Sequence, residues 1–291
     1  MTSKSKTRWN HEPPAPFGLR MDIPASPPPA GFDPVATLLG RIARLVPVMR
    51  ERAAALDRDA RFPAEDVDDL RAADCLTAPL SVGQGGLGLG TEPAGATGIM
   101  ELLRRLGQGN LSVGRLFEAH VNALRLISAY GTETQQRWAA AETRRGHLFA
   151  LWVAEVREGL RIAGPQEAPR LRGAKSFCSA AGAATRAVVT ATGADGVQMV
   201  LVEVGAGIRA EQLPHPPQGM RAAATGRMAF DDVTVGPGAL LGDPGDYLRE
   251  PEFSAGAWRT SAVTLGGLEA LVNEARTQLA ARGRDADPHQ R

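Results

Sequence analysis

Apolar positions recur at helical spacing from Pro34 to about Gly146 and then give way to short runs of strand formers, so the chain changes period once near its middle. Leu38, Leu39, Ile42, Leu45, Val46 and Met49 fall three and four apart, which predicts a helix with one buried stripe. Pro47 should bend or break it. FPAEDVDDLRAADCL predicts a second helix, with Pro63 in its first turn and Glu65 and Asp66 where carboxylates favour the positive helix end. LSVGRLFEAHVNALRLISAYG carries Leu116, Phe117, His120, Leu124, Ile127 and Ser128 on one face, and Gly131 stops it. Thr132 and Gln135 then stand at capping-box spacing before another helix that closes on Arg144, Arg145 and Gly146.

Beyond Gly146, the runs HLFALWVAE, RLRGAKSFCS, RAVVTAT, VQMVLVEV, GIRAEQL and GRMAFDDVTV are separated by Gly, Pro and Asp, as in a block of strands. Helical spacing resumes from about Pro251, with Trp258, Ala262, Leu265, Leu268, Leu271, Val272, Ala275 and Leu279 on one face. The expectation is an α+β protein in consecutive blocks: a helical domain over 32–146, a β domain over 147–245, and the start of a C-terminal helical bundle over 246–291. A long apolar helix with nothing after it needs a partner chain or further helices to cover it. Residues 1–31 hold seven prolines among charged and small residues, a composition that cannot offset its ordering entropy, and are read as a disordered arm.

Composition narrows the function classes. With 291 residues and 43% apolar content the chain can bury a large core. Thirty-three basic against 32 acidic residues leave no field for a polyanion, which argues against nucleic acid as a partner. Cys75 and Cys178 lie far apart with no CxxC spacing, which fits neither a disulfide framework nor a zinc site and suits a reducing cytoplasm. No apolar h-region follows the basic start, and no run of 18 apolar residues occurs, so neither export nor a membrane is expected.

Candidate chemistry is sparse. The five histidines never fall as HxxxH or HExxH, so no metal site is expected, and His120 on an apolar helix face reads as a core residue ahead of a catalytic one. SVGQGGLGLG at 81–90 has five glycines but no GxGxxG register after a strand and no GK[ST], and reads as an irregular turn. No GxSxG elbow is present, and Cys178 lies within an apolar strand, where a buried thiol is inert. The most suggestive stretch is LRGAKSFCSAAGAATRAVVTA, 171–191, where a strand pattern is interrupted by Lys175, an aromatic and a small-residue turn. Such an interruption leaves Phe177 to Ser179 placed to meet a ligand.

Three pieces in order give that stretch a context: Gly131, Thr132, Glu133, Gln135 and Gln136; then Gly173, Lys175, Phe177, Cys178 and Ser179; then Gly219, Arg221, Thr225, Phe230, Asp231, Asp232, Val233, Val235, Leu241 and Gly242. On this pattern the chain resembles the acyl-CoA dehydrogenase flavoprotein superfamily from about Arg61 to Arg282. The resemblance implies a central antiparallel, barrel-like β domain between two helical domains and a bound flavin, FAD or alternatively FMN. It implies that Phe177 packs beside the flavin ring, that Ser179 donates to it, and that Trp152, Val153 and Cys178 complete the cofactor-binding set. Arg221 would reach a substrate or phosphate, with a partner subunit or a surface ion pair as open alternatives.

The departures are informative. FALWVAEVREGLRIAG puts Val153 and Ala154 where the family carries a flavin-bonding Thr, and lacks the GSD that follows it. Trp152 then serves either ring packing or the core. Dehydrogenation also needs a carboxylate base. The early position for it on the last helix is Ala257, while Glu269 falls later, past the Gly266-Gly267 pair, and in most members of the family the base lies in a further helical stretch that this sequence does not include, so no catalytic residue is assigned. Two readings follow. One is a cytoplasmic flavin-dependent oxidoreductase acting on an acyl-CoA or similar small organic substrate, either as a dehydrogenase or by activating oxygen with reduced flavin. The other is a non-catalytic or partner-subunit homologue. Either is expected to form a homo-oligomer, or a hetero-oligomer with a chain that supplies further helices.

Overall fold

The computed structural model describes residues 33–283 other than 156–158, 166–167 and 216, so the proline-rich arm over 1–31 lies outside the described residues. Five helices come first: α1 (Pro34–Arg58), α2 (Ala64–Ala72), α3 (Ala96–Gly109), α4 (Leu111–Tyr130) and α5 (Glu133–Arg144). Asp33 caps α1 by accepting from Val35 N–H at 2.9 Å and Ala36 N–H at 3.0 Å, with Pro34 pre-set for the first turn. The helix does not end at Pro47 as its sequence suggested. It runs on through the proline because Leu38 and Ile42 before it and Met49 and Leu56 after it bury one continuous stripe. The capping box of α5 forms as spaced, Thr132 and Gln135 each bonding the other's main chain.

Eight strands follow: β1 (Phe149–Trp152), β2 (Arg161–Ala163), β3 (Arg170–Cys178), β4 (Arg186–Gly193), β5 (Gly196–Glu203), β6 (Ile208–Glu211), β7 (Gly226–Thr234) and β8 (Leu240–Leu241). They form one sheet in the order β6-β7-β3-β2-β4-β5-β8, with β1 added beside β4. The sheet is mostly antiparallel, as expected, with two parallel contacts. β1 runs parallel to β4, from Phe149 opposite Arg186 to Trp152 opposite Val189, and β2 touches β4 in parallel at Arg161 and Thr192. The remaining pairs are antiparallel. Among the described residues β6 and β8 do not pair with each other, so the strand path stays open between them. One buried cluster continues from Leu38, Ile42 and Phe117 in the helices to Trp152, Leu160 and Phe230 in the sheet.

The last helix, α6 (Glu252–Ala281), packs on α3 and α4 by a face that differs from the apolar stripe its sequence suggested. Its buried positions are Arg259, Ala262, Val263 and Gly266. Close approach explains this choice: a Cβ at Gly266 would lie 1.9 Å from the Arg104 carbonyl oxygen of α3, so only glycine admits that backbone. Trp258, Leu265, Leu268, Leu271 and Val272 are left exposed. No described helix is long and apolar enough to cross a membrane.

Candidate functional site

The pairing of β3 with β7 slips by one residue between Lys175 opposite Met228 and Cys178 opposite Gly226. That slip is a β-bulge, and Phe177 lies in it. Its φ of 53° is in the left-handed region, where a β-carbon meets the following carbonyl at a cost of about 1–2 kcal/mol. Phe177 is 57% exposed, so core packing repays only part of that strain. Ala180 (φ 57°), Met220 (φ 52°) and Ala224 (φ 47°) share the same unusual conformation. The two loops holding them are laced together, Ala180 N–H to the Ala223 carbonyl at 2.8 Å and Ala181 N–H to that of Ala224 at 2.9 Å. Gly226 closes the arrangement, since a Cβ there would stand 2.8 Å from both the Ala181 Cβ and the Glu211 carbonyl oxygen. Non-glycine strain gathered in adjoining loops beside an exposed aromatic is the pattern of a binding site.

The predicted cofactor set divides on burial. Phe177 reaches solvent and Val153 is half-buried. Ser179 is nearly buried, and its hydroxyl makes no hydrogen bond among the described residues. Trp152 and Cys178 are buried, at 1% and 0% exposure. Trp152 supports the site from behind: its indole N–H donates to the Ser179 carbonyl at 2.9 Å. A buried indole needs an acceptor, so the short distance between FALW and SFCS in the fold had a sequence signal in that tryptophan. The Cys178 thiol is pushed up to about 12 by burial and is no nucleophile at neutral pH.

Arg221 stands on the 3-10 turn Arg221–Ala223 with its side chain exposed and its guanidinium without a partner among the described residues. Its main-chain N–H donates to Asp57 Oδ1 at 2.7 Å, tying the turn to the end of α1. Ala257 is exposed and carries no carboxylate, and Glu269 is held by Arg104 and Gln108 of α3, both at 2.6 Å. Glu252, at the start of α6, is clasped by Arg125 through both carboxylate oxygens.

His120 is fully buried, with Nε2 2.9 Å from the Leu76 carbonyl and Nδ1 accepting the Phe149 N–H at 3.0 Å. Burial drives its pKa down to about 4, so it is a neutral strut between α4 and β1. The glycine loop at 81–90 is a turn: Leu87 and Leu89 N–H both reach the Ala78 carbonyl, and Gly85, Gly88 and Gly90 take positive φ. A groove of about 480 Å³ on the β3-β7-β6 side is lined by Arg172, Arg209, Glu211, Arg227, Asp231 and Asp232. These charges are already cross-paired, Arg209 with Asp231 and Glu211, Arg227 with Glu211, and Arg172 with Asp232. No metal-ligand cluster occurs among the described residues.

No family model matches the chain. A curated relative, the short-chain-specific acyl-CoA dehydrogenase of Clostridium acetobutylicum, is 26% identical over 257 residues, covering 82% of this chain and 66% of the relative. The chain therefore spans just under two thirds of that relative's length. Among solved structures, butyryl-CoA dehydrogenase from Megasphaera elsdenii superposes with a TM-score of 0.74 at 20% identity, over 84% of this chain and 68% of that one. FMN-bound TdsC from Paenibacillus sp. A11-2, a dibenzothiophene monooxygenase, gives 0.71 at 22%, over 82% and 64%. FkbI, from the biosynthesis of a methoxymalonyl extender unit, gives 0.69 at 25%, over 83% and 69%. In sequence and in fold the chain is similar to members of the acyl-CoA dehydrogenase superfamily.

Proposed function

We propose that the chain binds a flavin at the bulged end of β3 and serves a flavin-dependent oxidoreductase. The observation that carries this reading is Phe177, an aromatic held in a strained backbone with more than half of its surface exposed. The residues present fit a flavin: Phe177 offers a ring face, the Ser179 hydroxyl offers an uncommitted donor, and Val153 offers an apolar edge. A bound flavin would supply hydride or electron transfer. The chain's own residues would pack it, orient it and keep water from it. FAD or FMN would serve, and Arg221, with its unengaged guanidinium, is the candidate contact for an anionic group of cofactor or substrate.

Among the described residues, no carboxylate at the start of α6 stands free to act as the base of acyl-CoA dehydrogenation. Ala257 cannot take a proton, and Glu252 and Glu269 are both committed to arginine. A monooxygenase needs no base at that place. The same finding supports the second reading, a non-catalytic or partner-subunit homologue, as do Val153 and Ala154 standing in for the Thr. The exposed apolar face of α6 supports assembly with another copy or with a chain that supplies helices.

The test is to purify the chain, record its visible absorption, and titrate it with FMN and with FAD by fluorescence quenching. Saturable binding of one flavin per chain is expected. Absence of binding to either would remove the flavin reading and leave the partner-subunit one. With flavin bound, saturated acyl-CoAs of any chain length should not bleach it under anaerobic conditions, and rapid bleaching would restore the dehydrogenase.

A further inference from the structure

The β3 strand is paired with β7 along its whole length, but on its other edge β2 reaches only from Arg170 to Arg172. From Gly173 to Cys178 that edge has no strand partner among the described residues. The chain leaving β1 covers it instead, through one main-chain bond, Ser176 N–H to the Ala154 carbonyl at 3.0 Å. The second tie is a side chain. Lys175 is wholly buried, and its ammonium donates to the Val153 carbonyl at 3.2 Å, to the Thr190 hydroxyl of β4 at 2.8 Å, and to a Glu155 carboxylate oxygen.

We infer that Lys175 is the positioning residue of the proposed flavin site, a buried cation that locks the exit of β1 against the bulged end of β3. The inference rests on the flavin reading for what is positioned, and on the chain alone for how. An ammonium has three N–H donors, and here all three are used, each on a different residue. Two of those residues, Val153 and Glu155, lie on the segment that flanks the site, and Lys175 itself is two residues from Phe177. Removing an ammonium from water is costly, and an apolar side chain of the same length would fill the space without that cost. What an apolar chain cannot do is fix three acceptors, two on the segment leaving β1 and one on β4, at once. Burial also holds the Lys175 pKa below its ordinary value, with the bond to Glu155 acting against that shift.

The experiment compares the full chain with Lys175→Met and Glu155→Gln by two readouts: amide hydrogen exchange without flavin, and titration with FMN and FAD. In Lys175→Met, Ser176 N–H is expected to exchange at least tenfold faster while the amides of the β4-β5 ladder keep their rates, because a local tie is lost and not the sheet. Affinity for whichever flavin the wild type binds should fall at least tenfold. Glu155→Gln, which keeps an acceptor oxygen but not the charge, should fall between wild type and Lys175→Met in both readouts. An unchanged Ser176 rate overturns the inference, and so does acceleration shared equally by the β4-β5 ladder, which would mark Lys175 as a general structural residue. If Lys175→Met does not fold, Glu155→Gln alone decides, wild-type behaviour in both readouts overturning the inference. A wild type that binds neither flavin sinks the flavin reading, and the exchange comparison then decides whether Lys175 ties the two segments.

Discussion

Replacing Phe177 by glycine separates a binding residue from a packing residue. The left-handed backbone at Phe177 costs about 1–2 kcal/mol for a residue with a β-carbon and almost nothing for glycine. Against that relief stands the apolar surface the ring does bury. With 57% of the residue exposed, a little under half of the roughly 2–3 kcal/mol for full burial is at stake, about 1 kcal/mol. Glycine's extra freedom in the unfolded chain costs about 0.5–1 kcal/mol more. These contributions nearly cancel, so Phe177→Gly should change stability by no more than about 1 kcal/mol in urea denaturation. Phe230→Ala is the control: that ring is 1% exposed on β7, and its loss should cost about 3–5 kcal/mol. Flavin affinity should behave in the opposite way. Loss of the aromatic face removes about 0.5–1.5 kcal/mol beyond area burial, and the covered area adds to it, so the dissociation constant should rise roughly tenfold or more. A destabilisation above about 3 kcal/mol would show that Phe177 is a packing residue. An unchanged flavin affinity would remove it from the site.

The buried His120 sets an acid limit on the fold. Its folded pKa of about 4 lies below the ordinary value of 6.5, so between those values the unfolded chain takes a proton that the folded one refuses, and stability falls as pH drops through that window. At about 1.4 kcal/mol for each pH unit the loss reaches about 3 kcal/mol near pH 4. His120→Gln, which keeps an acceptor for Phe149 and a donor for Leu76, should show a flatter profile by that amount, and equal slopes from pH 7 to 4 would refute the assignment. On α6, Leu268 is 55% exposed in the middle of the apolar face, so Leu268→Glu should leave the urea midpoint within about 0.5 kcal/mol of wild type yet shift light scattering to a smaller species. A loss of stability with no change in assembly would mean the face is covered within the chain.

Much of this architecture is legible because periodicity and local chemistry agree. The capping box at Thr132 and the switch to strands after Gly146 both follow from side-chain type and spacing. Errors arise where tertiary contact outweighs the local rule. Pro47 was expected to interrupt a helix that a continuous buried stripe carries through. On α6, packing against α3 selects the small residues, because two helices that approach to backbone contact have no room for leucine, and the large apolar stripe stays uncovered among the described residues. The strands β2 and β8, of three and two residues, have too few positions to show any period. For the candidate site, residue types were legible and depth was not. Trp152 and Cys178 stand in the same runs as Val153 and Phe177, yet strand alternation and the bulge send them inward.

That division of depth also explains why the strain at β3 persists. A left-handed Phe177 or Ala180 would relax if its neighbours let the chain move, and here they do not. The Trp152 indole holds the Ser179 carbonyl, the Ala180 and Ala181 amides are bound to the 218–225 loop, and Gly226 lets that loop close onto the turn. Each tie acts on a strained residue or on the neighbour of one. A fold that over-determines a conformation in this way keeps an apolar ring in water at a fixed orientation, and the ring lowers the free energy of the system only when something planar covers it. The supporting residues should therefore matter to ligand affinity through Phe177 and Ser179 and not by contact, which is the behaviour that distinguishes them in the exchange and titration experiments.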